Sequence, residues 1–497
     1  MKTRLFTLTL LSSCIAAVAG MPAAHAASLT TIAEGFDNAS GLTYGPDGNL
    51  YLGETGRGGE GRCQPSPSVA FAEICEGDTG AIAQINPETG DTTEVVSGFD
   101  SLALQPSGYQ GAGPQELAFD DQNNAYFISG WAGNPANRDT ELNALAANVQ
   151  FPAQQAQIAP PLPADQVVNA PDLGKLYKLD LSTGQYSPIA DLAKAELTTN
   201  PDKGDVISNP YSIAIKGDTA YIGDGGANVL WETKLDGSSV KAIPIPTRQV
   251  ENPEFPPPAP GSAVPTTGTG SSGEGLPPAG QQGLPEGEAE APGIALPPGQ
   301  SADNVNLQSV PTGVTVGPDG AIYVGEYSGF PFPEGKARIW RIGDDGTPQV
   351  YADGFTQITD INFDKDGNLL VLQFSDQSQW KGADEAALPG SLISLAPDGT
   401  KTTLVAAGEG LESATGLEVG PNGEIYVVNK GVGPDNGQVI RVDGLENAAG
   451  GGKAEEVPEP TSVLGVLLLG ALGGGAVLKR KRNQLASQVK FANGLDD

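Results

Sequence analysis

Six side chains that carry oxygen ligands close short apolar segments of one recurring form, such as YVGE at 323–326. They are Glu54, Ser129, Asp224, Glu326, Gln373 and Asn429. Three are carboxylates, and carboxylates with amides and hydroxyls are the ligand set of a hard cation such as Ca²⁺. Glu54, Asp224 and Glu326 are therefore read as a divalent-metal site, with Ser129, Gln373 and Asn429 completing the ring. The competing explanation is that a strand ending at solvent becomes polar anyway. Asp364-Lys365-Asp366-Gly367-Asn368 is similar to part of a calcium loop but lacks the later bidentate glutamate, so it reads as a hairpin turn that needs glycine for positive φ. Arg338 and Arg341, beside Trp340, offer an anion site or solvated surface.

Histidine bounds the chemistry from the other side. The chain has one, His25. It sits in Ala24-His25-Ala26, a small-x-small cleavage site after a basic start (Lys2, Arg4) and an apolar run, so residues 1–26 read as a signal peptide. Leu11-Ser12-Ser13-Cys14 leaves a lipoprotein signal open as the alternative. Cleavage after Ala26 removes the only histidine, which excludes a Ser-His-Asp triad, a Cys-His pair and a histidine-ligated zinc. Catalytic residues are not identified. Cys63 and Cys75 remain, and an even count in an exported protein reads as one disulfide.

The six equivalent residues are positioned by a repeat. Its copies are Ser40–Glu54, Gln115–Ser129, Tyr211–Asp224, Thr312–Glu326, Thr359–Gln373 and Thr415–Asn429. In the fourth, Val314 and Val316 alternate with polar or small neighbours, Gly317-Pro318-Asp319-Gly320 turns the chain, and Ile322 and Val324 resume the period of two. A third strand follows each copy, and a fourth follows five of them. Six four-stranded units predict an all-β, six-bladed propeller. The sixth unit lacks a fourth strand, while 29–33 is an orphan strand, so the first segment is expected to complete the last blade and leave no open edge.

The propeller is expected over 27–443, with a cysteine loop at 55–79 and an insertion at 131–173 that could hold a short helix. A longer insertion at 245–307 is read as disordered, since 251–300 contains 12 Pro and 10 Gly and too little apolar surface to fold. A linker spans 444–456 and a tail 483–497. The formal charge is -33, which disfavours nucleic acid as a partner because phosphate neutralisation needs basic surface. Between them, 457–482 reads Val457-Pro458-Glu459-Pro460, an uncharged apolar stretch and Lys479-Arg480-Lys481-Arg482. A single transmembrane anchor is one reading, with the basic end cytoplasmic.

The order of those three parts also resembles the PEP-CTERM sorting signal, which implies an exosortase-type processing protease as partner. The resemblance implies an exported protein in the periplasm, outer envelope or extracellular space, held by its C-terminal segment at least transiently. Across the blades, GAGPQEL (111–117), WAGNPANR (131–138), NPYSIAI (209–215), GDGGANVLW (223–231) and the segment from Val310 to Ile342 resemble the ScyD/ScyE family. These are exported propellers associated with the gene cluster for scytonemin, the extracellular sunscreen pigment of cyanobacteria. More distantly the repeat is similar to NHL repeats and to gluconolactonase/SMP-30 and strictosidine-synthase propellers. The expected function is a binding or accessory module, with a small molecule or an envelope polysaccharide as ligand. A metal-dependent lactonase or hydrolase and an envelope scaffold are the alternatives.

Overall fold

The computed structural model describes residues 27–444 except 154, 252, 256–303 and 383–386. The segment read as a signal peptide, the middle of the long insertion and the segment read as a C-terminal sorting signal lie outside the described residues.

Alternating apolar residues make each repeat a sheet buried on both faces. In the fourth, Pro311–Val316, Ile322–Glu326, Ala337–Ile342 and Pro348–Phe355 hydrogen-bond in that order. The period of two puts Val314, Ile322, Val324, Trp340 and Ile342 on one face, against Leu230 of the preceding sheet. Tyr323, Ile339 and Phe355 point the other way, against Ile358, Ile361 and Val371 of the next. Each large side chain buried in this way contributes about 1.5–3 kcal/mol relative to exposure. Six such sheets form a six-bladed β-propeller.

The turns work as the repeat requires. Gly48, Gly320, Gly367 and Gly423 have φ of 87°, 77°, 81° and 94°, which favours a residue without Cβ. The turn aspartate also accepts from a tyrosine hydroxyl on the following strand, Tyr51 to Asp47 at 2.9 Å, Tyr126 to Asp120 at 3.1 Å and Tyr323 to Asp319 at 3.3 Å.

Ring closure follows the expected route. Ser28–Phe36 lies antiparallel to Gly437–Asp443, from Ser28 opposite Asp443 to Phe36 opposite Gly437, as the outer strand of blade six. Leu42, Leu50 and Leu52 of blade one then pack on Tyr426, Val428 and Val439 of blade six.

The insertions carry more structure than their composition predicts. Cys63–Pro65 pairs with an extension of Glu73–Ile85, setting Cys63 opposite Cys75, and the two sulfurs are joined at 2.00 Å. The second insertion holds a helix at Thr140–Ala146, capped where Asp139 accepts from the Leu142 N–H at 2.9 Å. The long insertion is ordered at both described ends, where Arg248–Glu251 pairs antiparallel with Asn304–Leu307. Val250, Val305 and Leu307 are buried there. These few apolar residues close the two ends as a stalk, a local signal that the Pro/Gly content of the whole segment masks. Helix Leu192–Thr199, between blades two and three, was not expected from the repeat. Among the described residues no helix is long and apolar enough to cross a membrane.

Candidate functional site

Among the described residues, the ligand atoms of Glu54, Asp224 and Glu326 do not gather within 4.8 Å of one another. Each of the repeat-end residues instead pins backbone near the end of its blade, and Glu326 also takes a side chain of the long insertion. Glu54 accepts from the Asp37 N–H at 2.9 Å, Gln373 from Thr356 at 2.7 Å and Asn429 from Glu412 at 2.7 Å. Asp224 is wholly buried and accepts from the N–H groups of Asn209, Gly226 and Ala227, the Ser208 hydroxyl and the Trp231 indole. Ser129 donates to the Asp172 carbonyl and accepts from the Lys175 N–H. Glu326 accepts from Arg248 at 2.8 Å, the Trp340 indole at 2.7 Å and the Arg338 N–H at 3.1 Å. Burial pushes the Glu54 carboxyl up to about 7. It also raises Asp224 and Glu326, in the latter against the opposing pull of Arg248. Among the described residues, the acidic, histidine or cysteine ligand atoms that gather within 4.8 Å in threes belong to Glu76, Asp78 and Asp100 instead. The position is polar because it closes the loop into each blade.

The preceding glycine in the GE and GD pairs has its own cause. A Cβ on Gly53 would collide with the Gln115 carbonyl of blade two.

A second set of carboxylates, which the repeat alignment did not single out, lines the central channel. The innermost strand of each blade is a sheet edge whose backbone groups need partners. Side chains of neighbouring blades supply them. Glu116 accepts from the Ile213 N–H at 2.7 Å, Ser212 from Val314 at 3.0 Å, Asp360 from Leu417 at 2.7 Å and Glu418 from Tyr44 at 3.1 Å. Thr43 donates to the Leu117 carbonyl at 2.6 Å, Thr312 to Ile358 at 2.6 Å and Thr359 to Ala414 at 2.9 Å. These latches run around the ring. Glu116 and Asp360 stand where other copies have Gly41, Gly313 and Gly416, and Glu418 where they have Thr43 and Thr315, so their sequence signal was a carboxylate at a repeat position that is otherwise small.

Inside the latches lies a cavity of about 250 Å³ lined by residues of all six inner strands, Glu116, Asp360 and Glu418 among them. Burial holds all three carboxyls above the usual carboxylate range, with Asp360 adding to the rise at Glu116 and Glu418, and Glu418 reaches about 8. At neutral pH the cavity therefore carries fewer than three negative charges, and its carboxyls can donate as well as accept hydrogen bonds.

The third feature is aromatic. Tyr327 contacts Phe332 and Phe374 at centroid distances of 5.8 Å, Phe330 contacts Phe332 at 6.0 Å, and Phe255, at the described edge of the long insertion, contacts Phe330 at 5.8 Å. The Trp380 indole donates to the Pro331 carbonyl at 2.9 Å, tying the blade-five loop to the blade-four loop. Phe374 is buried, and Tyr327, Phe330, Phe332, Trp380 and Phe255 are half-buried. All but Phe255 stand on the loops after the second strands of blades four and five. A second aromatic cluster, Phe99, Phe127, Tyr177 and Tyr186, is packed between blades one and two.

No family model matches the chain, and no curated protein matches it. Among solved structures it is similar to a gluconolactonase from Xanthomonas campestris, at 9% identity over 84% of this chain and 90% of that one, with a TM-score of 0.40. It is similar to virginiamycin B lyase from Staphylococcus aureus at 10% identity, over 84% and 99%, with a TM-score of 0.38. The PQQ-bound aldose sugar dehydrogenase of Streptomyces coelicolor gives 12%, 84% and 98%, and 0.40. Likenesses at this level say nothing about activity.

Proposed function

We propose that the protein is an exported binding propeller of the ScyD/ScyE type, an accessory module that holds a planar aromatic small molecule from extracellular pigment chemistry. The observation that carries this reading is the half-buried cluster of Tyr327, Phe330, Phe332, Trp380 and Phe255. Half-buried rings on loops fixed by hydrogen bonds form a pre-organised stacking surface. Each aromatic pair gained on binding contributes about 0.5–1.5 kcal/mol beyond its buried area. A conjugated pigment presents the flat face that such a surface takes.

Trp380 is the natural reporter. Titrating the protein with flat conjugated pigment compounds should quench its fluorescence, and Phe330→Ala should weaken binding about tenfold or more while the circular dichroism of the ring is unchanged. Equal affinity in wild type and variant would remove the aromatic surface from the site.

A second reading rests on the channel cavity. A carboxyl near neutrality, as at Glu418, suits general acid or base work on a small ester or lactone. Turnover of a lactone panel, lost in Glu418→Gln, would favour it over the binding module.

A further inference from the structure

Between blades two and three, helix Leu192–Thr199 and the loop after it carry a group of oxygen atoms that lack partners. The helix is fixed at its start. Asp191 accepts from the Lys194 N–H at 2.8 Å and takes the Arg138 guanidinium on both carboxylate oxygens, at 2.8 and 2.6 Å. At its end Asn200 turns left-handed with φ of 38° and donates its N–H to the Glu196 carbonyl at 2.9 Å.

Glu196 is 0% exposed, and neither of its carboxylate oxygens has a hydrogen-bond partner. The amide oxygen of Asn200, the residue that ends the helix, is buried and equally without a partner. The charges that Glu196 feels are mainly those of Asp224 and Asp202, with Lys203 opposing them. Asp202 is half-buried, and its oxygens accept from the Gly204 N–H at 2.8 Å and the Asn228 amide at 3.1 Å. Each keeps a lone pair. Asp224, with five donors, is not short of partners.

An orphaned buried oxygen is destabilising, and more so when it is charged. Asn200 and Asp202 both bond Gly204, the Asn200 amide to its carbonyl at 3.0 Å and the Asp202 carboxylate to its N–H at 2.8 Å, and a cation beside them is the occupant that the orphaned oxygens call for. The donors are carboxylate and amide oxygens without nitrogen or sulfur, which selects a hard cation, and the mixed set suits the flexible coordination of calcium better than the strict octahedron of magnesium. We propose that Glu196, Asn200 and Asp202 bind a calcium ion between blades two and three. The competing occupant is a proton on Glu196, because burial and then the neighbouring aspartates push its carboxyl up to about 10.

The full chain is titrated with Ca²⁺ while its thermal melt is followed, and separately with Tb³⁺ while luminescence sensitised by tryptophan is read. Trp231, bonded to Asp224, is the nearby donor. The expected result is a melting temperature that rises with calcium through mass action and a terbium signal that calcium displaces. Both are lost in Glu196→Gln. Asp202→Asn, on the half-buried side, weakens calcium by about tenfold or more through loss of one ligand charge, and decides the matter if Glu196→Gln does not fold. A Glu54→Gln/Glu326→Gln double variant keeps the full response. A response that is absent from wild type, or that survives in both site variants, overturns the proposal and leaves Glu196 as a buried acid.

Discussion

Arg248 and Glu326 form an ion pair across 78 residues of chain, Nη1 to Oε2 at 2.8 Å, with Glu326 wholly buried and the Arg248 side chain 11% exposed. Arg248 also donates to the Lys336 carbonyl. It stands on the first strand of the insertion's stalk, so the long insertion is anchored on blade four by the carboxylate that the repeat pattern offered as a metal ligand.

Removing one partner of such a pair leaves a buried charge uncompensated. Arg248→Met should therefore cost about 3 kcal/mol in urea unfolding at neutral pH. Adding Glu326→Gln to it should restore most of that loss, because the double variant buries no lone charge. Equal unfolding midpoints for wild type and Arg248→Met would show that the pair contributes nothing.

The raised carboxyls predict a pH dependence. Glu54 near 7 and Glu418 near 8 lie above the ordinary 4.5, so the folded state binds protons that the unfolded state has released. The stability this confers is complete below about 4.5 and is lost as pH rises through 7 and 8. Carboxylates held low by hydrogen bonds despite desolvation, such as Asp47, matter only as pH falls below their ordinary 3.8. In calcium-free buffer the melting temperature should fall from pH 5 to pH 8.5. Glu418→Gln should flatten the profile by on the order of 1 kcal/mol, a discounted figure because this side chain faces the channel. A profile that climbs over this range would contradict the assignment.

Ring closure predicts cooperative loss. Deleting residues 28–36 unpairs Gly437–Asp443 and exposes Phe36's packing partners Tyr426 and Val439. The expected outcome is a single transition lowered by several kcal/mol, since burying Phe36 alone is worth about 1.5–3 kcal/mol. Two separated transitions, or none shifted, would mean that blade six stands without its outer strand.

Arg138 is the corresponding lock for the second insertion. It is buried, forks onto Asp191, and donates to Asp139 at 2.8 Å and to the Leu173 carbonyl at 3.0 Å. Lysine keeps the charge but not the planar fork. Arg138→Lys should lower stability by about 2–3 kcal/mol and open 140–173 to limited proteolysis, while a cleavage pattern like that of wild type would show that the fork is dispensable.

The blades were legible in the sequence because a strand's period of two and a turn's need for glycine are local properties, repeated six times from Ser40–Glu54 to Thr415–Asn429. Closure was legible too, since an orphan strand at 29–33 matched a blade lacking one. The role of Glu54, Asp224 and Glu326 was not. Their alignment is real, but whether a carboxylate faces an ion, a backbone N–H or an arginine depends on groups that the fold brings from elsewhere, Asp37 for Glu54 and Arg248 for Glu326. The same holds for Glu116, Asp360 and Glu418, whose partners lie in the next blade, and for Glu196, which only packing leaves without one. The sequence by itself determined the ring, because strand and turn energies act over a few residues. The tertiary structure alone decided which acids are saturated and which are left open, because desolvation and hydrogen bonding are set by neighbours that are distant in the chain.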